Sequence, residues 1–295
     1  MSGASDLAPV FVFFPAHDEE ATVGSVVKRT PPTAGGRPVV VAVVDDGSTD
    51  STAAAASVAG AELICFERNR GLGAAVRAGL ASGVHRGAAA VVFLDADGEY
   101  APEELDRLVE PILAGAADYV VGSRFAGGPR DMRPHRWFGN RLLTIAVRLL
   151  VRRHGVRGLT DGQSGYRALS AEAAARAEVI HDFNYAQVLT LDLVAKGFRY
   201  AEVPISYAFR QHGRSFIRLG RYLRAVVPAV LAEVRSNPLP AEAGGRQSAV
   251  RAPRLAGQSS TTNALNDSRA RRQAAPSMVP SLISDPASAH PMART

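Results

Sequence analysis

The 295-residue sequence predicts an α/β domain with a mostly parallel central sheet and helices on both of its faces. Over the first 125 residues, short apolar runs alternate with helix-like stretches. Acidic loops follow three of these runs, in PAHDEE, DDGSTDST and DADGEY. A strand followed by a helix, repeated, favours parallel neighbours, and ligands bind beyond the carboxyl ends of such strands.

The apolar runs predict strands, which we place at Val10–Phe14, Val39–Val44, Glu62–Phe66, Ala89–Leu94 and Tyr119–Val121. Helices are predicted between them, near Glu19–Arg29, Asp50–Ala59, Gly73–Gly83 and Pro102–Leu113. The run VVFL is apolar at every position, which is typical of a strand buried on both faces.

The pattern changes near Trp137. The stretch WFGNRLLTIAVRLLVRRHG predicts an amphipathic helix with several arginines, and a glycine-rich turn, GLTDGQSGYRALS, follows it. A helix near Asn184–Ala195, a strand pair through Phe198–Phe209 and a second basic, apolar helix at Arg214–Arg235 come next. The predicted organisation is a flexible N-terminus at 1–8, an α/β domain at 9–212, membrane-associating helices at 213–237 and a disordered tail at 238–295.

The composition of the chain indicates where the protein works and which kinds of partner it binds. The net charge is +6, and the single cysteine, Cys65, excludes an intrachain disulfide and fits a reducing cytoplasm. No stretch reaches the roughly 18 to 20 apolar residues of a spanning helix, and no signal peptide is visible. Two basic amphipathic helices favour an anionic membrane surface as a partner. Nucleic acid is disfavoured because the arginines lack interleaved aromatic residues. We therefore expect a cytoplasmic protein, peripheral on the cytoplasmic face of the membrane.

The three acidic loops have two interpretations. Aspartate is a common N-cap, so a single acidic loop does not distinguish a capped helix from a ligand site. Three such loops at one edge of a sheet favour a ligand site. Asp95 and Asp97 follow the strand ending at Leu94, and Mg²⁺ commonly takes one or two carboxylates together with phosphate and water. A cation held there would neutralise a diphosphate leaving group.

The glycines of NRGLGAAVRAG raise a rival hypothesis, a dinucleotide-binding G-x-G-x-x-G. Gly71 and Gly73 fit its first two positions, but Val76 occupies the third. The segment also lies too far along the chain for the first strand–turn–helix unit, and no Walker A loop is present. These departures disfavour a dinucleotide-binding site in this segment.

Several motifs together resemble a known family. PAHDEE, VVDDGSTD, NRGLGAAVRAG, FLDADGEY, VGSR and DGQSGYRA stand in the order and spacing of family 2 glycosyltransferases of the GT-A fold. The likeness is closest to the polyprenyl-phosphate (dolichyl-phosphate) mannose or glucose synthases, and it covers residues 8–235. It implies a GT-A fold for the domain at 9–212, with amphipathic helices added at its C-terminal end.

The resemblance also implies residue roles. On the donor side, nucleoside and diphosphate contacts fall on Pro15, His17, Glu19, Asp45, Asp46, Asp95 and Ala96. His17 stands where many relatives have tyrosine. A divalent cation, Mg²⁺ or Mn²⁺, would be held by Asp95 and Asp97, with Glu99 as a third ligand. On the acceptor side, the matching residues are Arg124 and Arg141 for the phosphate and Asp161, Gln163 and Ser164 beside the reacting sugar.

The implied reaction transfers a hexose, mannose or glucose, from a GDP- or UDP-sugar to a polyprenyl phosphate with inversion. Asp97, Arg124, Arg141, Asp161 and Gln163 would carry it. A first alternative is a hydroxyl acceptor, with Asp161 as general base. A second is a catalytically idle membrane-surface adaptor with the same fold. The sequence leaves open the sugar, the base and whether the chain works with a second copy or a membrane partner.

Overall fold

A computed structural model describes residues 7–126, 134–182 and 185–208. The predicted membrane-associating helices at 213–237 and the predicted tail at 238–295 lie outside the described residues, as does most of the predicted N-terminal segment at 1–8. Within the described ranges, no helix combines the length and the apolar composition that crossing a bilayer requires.

The strands form one sheet. They are β1 Val10–Ala16, β2 Thr33–Ala34, β3 Arg37–Asp45, β4 Glu62–Cys65, β5 Ala90–Phe93, β6 Tyr119–Ser123, β7 Arg167–Ser170 and β8 Tyr200–Pro204. Their order is β2-β3-β1-β5-β7-β6-β8, and β4 also pairs with β3. The β1–β3, β1–β5, β3–β4 and β6–β8 pairs are parallel, whereas β2 and β7 run antiparallel to their neighbours. The predicted mostly parallel sheet is confirmed.

Helices cover both faces of this sheet. They are α1 Val23–Arg29, α2 Thr52–Val58, α3 Leu72–His85, α4 Leu105–Leu113, α5 Pro134–Val151, α6 Ala171–Arg176 and α7 Ala186–Ala195. Alternate side chains of β1 belong to different cores. Phe11 and Phe13 share a core with α3, α6 and α7, whereas Val12 and Phe14 share one with α1, α2 and α4. This alternation follows from the two-residue period of a strand.

Several element predictions were wrong. The glycine-rich turn contains β7 and leads directly into α6, which the sequence pattern did not reveal because β7 is only four residues long and begins with a charged residue, Arg167. The predicted strand pair through Phe198–Phe209 is one strand, β8, followed by an isolated bridge from Tyr207 to Tyr100. The strand β8 pairs with the distant β6, so no hairpin forms there.

Two glycines of α3 allow the helix to lie close to the sheet. A Cβ atom at Gly79 would lie 2.3 Å from the ring of Phe13, and one at Gly83 would lie 2.6 Å from Val91. Both ring and valine side chain are fully buried, so neither can move aside without disturbing the core.

Gly79→Ala should therefore lower the free energy of unfolding by about 1 to 3 kcal/mol, the usual range for overpacking a core. Gly24→Ala in α1 is the control, since a Cβ there meets its nearest atom at an ordinary 3.5 Å. Alanine favours a helix over glycine by about 1 kcal/mol, so this control should be neutral or stabilising. Chemical denaturation of both variants measures the difference, and equal stabilities would contradict the packing argument.

Candidate functional site

The carboxyl ends of β1 and β3 form one side of the candidate site. Ala16 and Asp45 are register partners, and the amide of Asp46 donates to the Ala16 carbonyl oxygen at 2.8 Å. Asp46 is buried, and its carboxylate accepts hydrogen bonds from the amides of Arg70 at 2.6 Å and Gly71 at 2.8 Å. Both predicted donor-binding acids thus lie at the predicted edge, and Asp46 fixes the loop beside it.

Asp45 and the residues after β1 form a rigid rim. The Asp45 carboxylate is buried and accepts hydrogen bonds from the amide and hydroxyl of Ser48. The Asp18 carboxylate accepts from the Thr49 amide at 2.8 Å, and the Glu19 amide donates to the Thr52 hydroxyl at 2.8 Å. These bonds join the loop after β1 to the loop after β3.

Two further predicted donor residues lie on this rim. Pro15 is buried at the end of β1, and His17 follows it in a half-buried position. The Nδ1 atom of His17 is buried, and among the described residues nothing bonds to it. Its Nε2 lies 3.7 Å from a carboxylate oxygen of Asp18.

The glycines near the start of α3 serve packing. The Gly73 amide donates to the Asp182 carbonyl oxygen at 2.8 Å. Cβ atoms at Gly71 and Gly73 would lie 2.5 Å and 1.8 Å from the carbonyl oxygens of Asp182 and His181. The first turn of α3 is therefore covered by protein, which is inconsistent with a dinucleotide fingerprint there.

The acid loop, residues 95–100, follows β5. Asp95 and Asp97 are partly exposed, whereas Ala96 and Glu99 are buried. The Glu99 amide donates to the Asp97 carboxylate at 3.0 Å, and the Glu99 carboxylate accepts from the Tyr207 hydroxyl at 2.7 Å.

The chemistry of the acid loop fits a divalent cation on a diphosphate. Among the residues that the structure describes, no three His, Cys, Asp or Glu side chains group together as a metal site. Two partly exposed carboxylates, Asp95 and Asp97, are nevertheless enough, because Mg²⁺ usually completes its shell with phosphate and water. Glu99 as a third ligand remains a prediction.

A buried ion pair lies on the other side of the site. Arg124 follows β6, and its Nε and Nη2 atoms donate to the two carboxylate oxygens of Asp161 at 2.7 Å and 2.9 Å. The Arg124 amide also donates to Asp161, at 3.1 Å. Asp161 is fully buried and Arg124 nearly so. Burial alone would lower the pKa of Arg124, but Tyr100 and Asp161 hold it well above the usual value, so the guanidinium is charged.

Asp161 begins the turn at residues 161–165, which we call the acceptor turn after its predicted place beside the reacting groups. The Glu202 carboxylate accepts hydrogen bonds from the amides of Thr160 at 2.8 Å and Asp161 at 3.1 Å, which fixes the start of the turn. Burial raises the pKa of Glu202. The Gln163 amide donates to Asp161 at 3.1 Å, and its side-chain oxygen accepts from Gln187 at 2.6 Å.

The acceptor turn touches the acid loop. A Cβ atom at Gly165 would lie 2.3 Å from a carboxylate oxygen of Asp95, so that carboxylate lies against the Gly165 backbone. Behind the turn, the fully buried Arg167 donates from Nε to the carbonyl oxygen of the buried Ser164 at 2.9 Å. The structure therefore brings the predicted Asp95, Asp161 and Arg124 together.

Arg141 lies further out. It is exposed on α5, one helical turn before Thr144, whose hydroxyl accepts from the Gly162 amide at 3.3 Å. The helix α5 thus contacts the acceptor turn, and Arg141 lies near that contact. Its predicted role toward a phosphate remains a prediction.

Sequence reasoning did not identify four groups around the site: the buried Tyr100 and Arg167, and the half-buried Glu202 and Tyr207. Each lies in a quoted motif or a predicted strand, and the available signal was a charged or hydroxyl-bearing side chain inside an otherwise apolar stretch. A buried group of this kind must find hydrogen-bond partners, which makes it a candidate organiser of a site.

Comparison with known proteins identifies a family and several relatives. The family described as "Glycosyl transferase family 2" matches residues 11–173. The polyprenol monophosphomannose synthase of Mycolicibacterium smegmatis is 36% identical over 151 residues, which cover 49% of this chain and 55% of that protein. The undecaprenyl-phosphate mannosyltransferase of Micrococcus luteus is 35% identical over 167 residues, covering 53% and 65%. The chain thus spans less than two thirds of the length of these two relatives.

A solved structure shows the same fold. Glucosyl-3-phosphoglycerate synthase from Mycobacterium tuberculosis, in complex with Mn²⁺, uridine diphosphate and glucosyl-3-phosphoglycerate, superposes with a TM-score of 0.61 at 26% identity. The match covers 78% of this chain and 81% of that one.

Proposed function

Because the chain belongs to glycosyl transferase family 2, we propose that it transfers a hexose, mannose or glucose, from a GDP- or UDP-sugar to a polyprenyl phosphate. One observation carries the proposal: the carboxylate of Asp95 lies against the turn that begins with the Arg124-paired Asp161. A carboxylate edge suited to a cation-bound diphosphate therefore faces a turn that Arg124 fixes through Asp161. The exposed Arg141, on the helix that contacts this turn, supplies the charge suited to an anionic acceptor.

On the donor side, the residues bind and orient. Asp45 and Asp46 fix the loops beside β1 and β3, and the nucleoside would lie against this rim. Asp95 and Asp97 would hold Mg²⁺ or Mn²⁺. When bound, such a cation neutralises charge on the diphosphate leaving group. The structural relative holds Mn²⁺ and a uridine diphosphate, which supports this choice of cofactor.

On the acceptor side, a phosphate requires little help from a base. A phosphate monoester is already anionic near neutral pH, so no group must remove a proton as an alcohol would require. Asp161, the base in the hydroxyl-acceptor alternative, has both carboxylate oxygens bonded to Arg124. A carboxylate held in this way is poorly placed to take a proton, which favours the phosphate acceptor.

The outer face of α5 fits a lipid acceptor. Ile145 and Leu149 are 47% and 58% exposed, and Arg141 and Arg148 are exposed beside them. Apolar side chains flanked by arginines are the composition that binds an anionic membrane surface. We infer that this face of α5 rests on the membrane that carries the polyprenyl phosphate.

Arg141→Ala should reduce the efficiency with which the acceptor is used by about ten- to a hundredfold, because one charge-assisted contact to a phosphate contributes about 1.5 to 3 kcal/mol. Arg141→Lys should restore part of this loss, since lysine offers a point charge without the planar fork. Arg148→Ala is the control, an exposed arginine on the same helix. Transfer kinetics measure the effect, alongside donor binding by calorimetry. Identical acceptor kinetics in the two alanine variants would contradict a specific role for Arg141.

The function itself is tested by product analysis. The purified protein is incubated with Mn²⁺, GDP-mannose or UDP-glucose, and a short-chain polyprenyl phosphate in detergent. A lipid-extractable, mild-acid-labile sugar phosphate is the expected product. A parallel reaction contains 3-phosphoglycerate in place of the lipid. Transfer to its hydroxyl group, giving an acid-resistant glycoside, would indicate the hydroxyl-acceptor alternative. Neither transfer nor hydrolysis of any nucleotide sugar would indicate the adaptor.

A further inference from the structure

Tyr100 ends the acid loop and is bonded to the acceptor turn. It is only 3% exposed, and its ring packs edge-to-face against Tyr166, with centroids 6.0 Å apart, and Tyr207, with centroids 5.8 Å apart. Its hydroxyl oxygen accepts a hydrogen bond from the Gly165 amide at 2.7 Å. A single side chain thus joins the last residue of one segment to the last residue of the other.

Gly165 is also where the carboxylate of Asp95 makes contact. A Cβ atom there would lie 2.3 Å from that carboxylate, so Asp95 occupies the space that a side chain at position 165 would need. Any displacement of Gly165 would therefore change the space available to Asp95. The Tyr100 hydroxyl fixes Gly165 from its amide side.

A second connection passes through Tyr207. Its backbone bridges to Tyr100, and its hydroxyl donates to Glu99 at 2.7 Å. The guanidinium carbon of Arg124 lies 5.3 Å from the centre of the Tyr207 ring. Tyr100 is therefore in contact, directly or through one neighbour, with both sides of the site.

We propose, on the basis of the function proposed above, that Tyr100 is a positioning residue. Its hydroxyl holds the acceptor turn at a set distance from the carboxylates of the acid loop. A single displacement requires the attacking oxygen and the leaving diphosphate in line, and a misplacement of about 1 Å can reduce the rate about a hundredfold. The hydroxyl acts by accepting the hydrogen bond of the Gly165 amide, which fixes the turn.

The matched pair of variants is Tyr100→Phe and Tyr166→Phe. Both remove one hydroxyl from a buried tyrosine, and the two rings contact each other. The Tyr166 hydroxyl lies 3.5 Å from the Pro102 carbonyl oxygen and not on the acceptor turn. We expect Tyr100→Phe to lower kcat for transfer by about ten- to a hundredfold and to raise the hydrolysed fraction of the donor. Donor affinity should change by less than about twofold, and Tyr166→Phe should resemble the wild type.

Hydrogen exchange tests the same contact without the reaction. The Gly165 amide should exchange faster in Tyr100→Phe and at the wild-type rate in Tyr166→Phe, because only the first loses its acceptor. Unchanged exchange in Tyr100→Phe, wild-type kcat in that variant, or equal kinetic losses in both variants would each overturn the proposal. An inactive wild type with faster exchange in Tyr100→Phe would instead overturn the proposed function while leaving the contact established.

Discussion

Arg124→Ala should lower the free energy of unfolding by about 3 to 5 kcal/mol, the range measured when one partner of a buried ion pair is removed. The variant leaves the fully buried Asp161 carboxylate without the two hydrogen bonds that the Arg124 guanidinium donates to it. The bonds from the backbone amides of residue 124 and Gln163 can persist. Transfer should fall as well, because the acceptor turn begins at Asp161.

The matched control is Arg199→Ala. Arg199 bonds Asp118 in the same two-pronged geometry, with both distances at 2.8 Å, but its side chain is 50% exposed. Exposed pairs contribute about 0 to 1 kcal/mol because water and salt screen them. Guanidinium chloride denaturation of both variants gives the comparison. Similar losses in the two would show that burial of the Arg124 pair adds nothing.

The double replacement Arg124→Met, Asp161→Leu separates stability from function. Replacing both members of a buried pair by apolar side chains of similar volume is often neutral or stabilising. We expect the double variant to unfold nearer the wild-type midpoint than Arg124→Ala while remaining inactive in transfer. Transfer activity in this variant would exclude the pair from acceptor binding.

Asp97→Asn should reduce transfer by about a hundred- to a thousandfold, because charge neutralisation by a bound cation is worth several kcal/mol in the transition state. The fold should be retained. Asparagine keeps the side-chain oxygen that accepts the Glu99 amide at 3.0 Å, and surface changes usually alter stability by less than about 0.5 kcal/mol.

Asp106→Asn is the control for Asp97→Asn, since exposed Asp106 likewise accepts one backbone amide, from Gly35 at 2.8 Å. Transfer rates at increasing Mn²⁺ should show a weakened requirement in Asp97→Asn only. Addition of EDTA should abolish wild-type activity. Full activity in EDTA, or equal activity of the two asparagine variants, would exclude a cation at Asp97.

The edge of the sheet that carries the candidate site was predictable from the sequence. A strand that is apolar at every position, such as the one ending at Leu94, is buried, so carboxylates that follow it must lie beyond its end, where water or a ligand can reach them. Asp95 and Asp97 lie partly exposed at this edge for this reason, whereas Asp45 and Asp46 lie at the same edge but are buried and hydrogen-bonded. Partners across the chain were not predictable. The bond from Gly165 to Tyr100 joins residues 65 apart, and no local pattern encodes a contact of that range.

The hydrogen-bond partner of Arg124 was likewise not predictable from the sequence. The VGSR motif and the family resemblance predict that it binds the acceptor's phosphate, and the structure places it against the turn at residues 161–165. What the sequence could not show is that two of its nitrogens are already bonded to Asp161. Similarly, the sequence did not predict β7 as a strand, because β7 begins with the charged residue Arg167 and a charge at that position is typical of a loop.

The position of β7 in the sheet, between two strands that precede it in the chain, has a consequence for synthesis on the ribosome. β7 lies between β5 and β6, although β6 precedes it in the chain. When the chain has emerged only as far as β6, the edge of β5 that β7 will occupy has no strand on it, and β6 has no partner through which to join the sheet. Exposed edges of this kind recruit other chains. The nascent protein therefore passes through an interval of aggregation risk that ends only when residues 167–170 are available to insert.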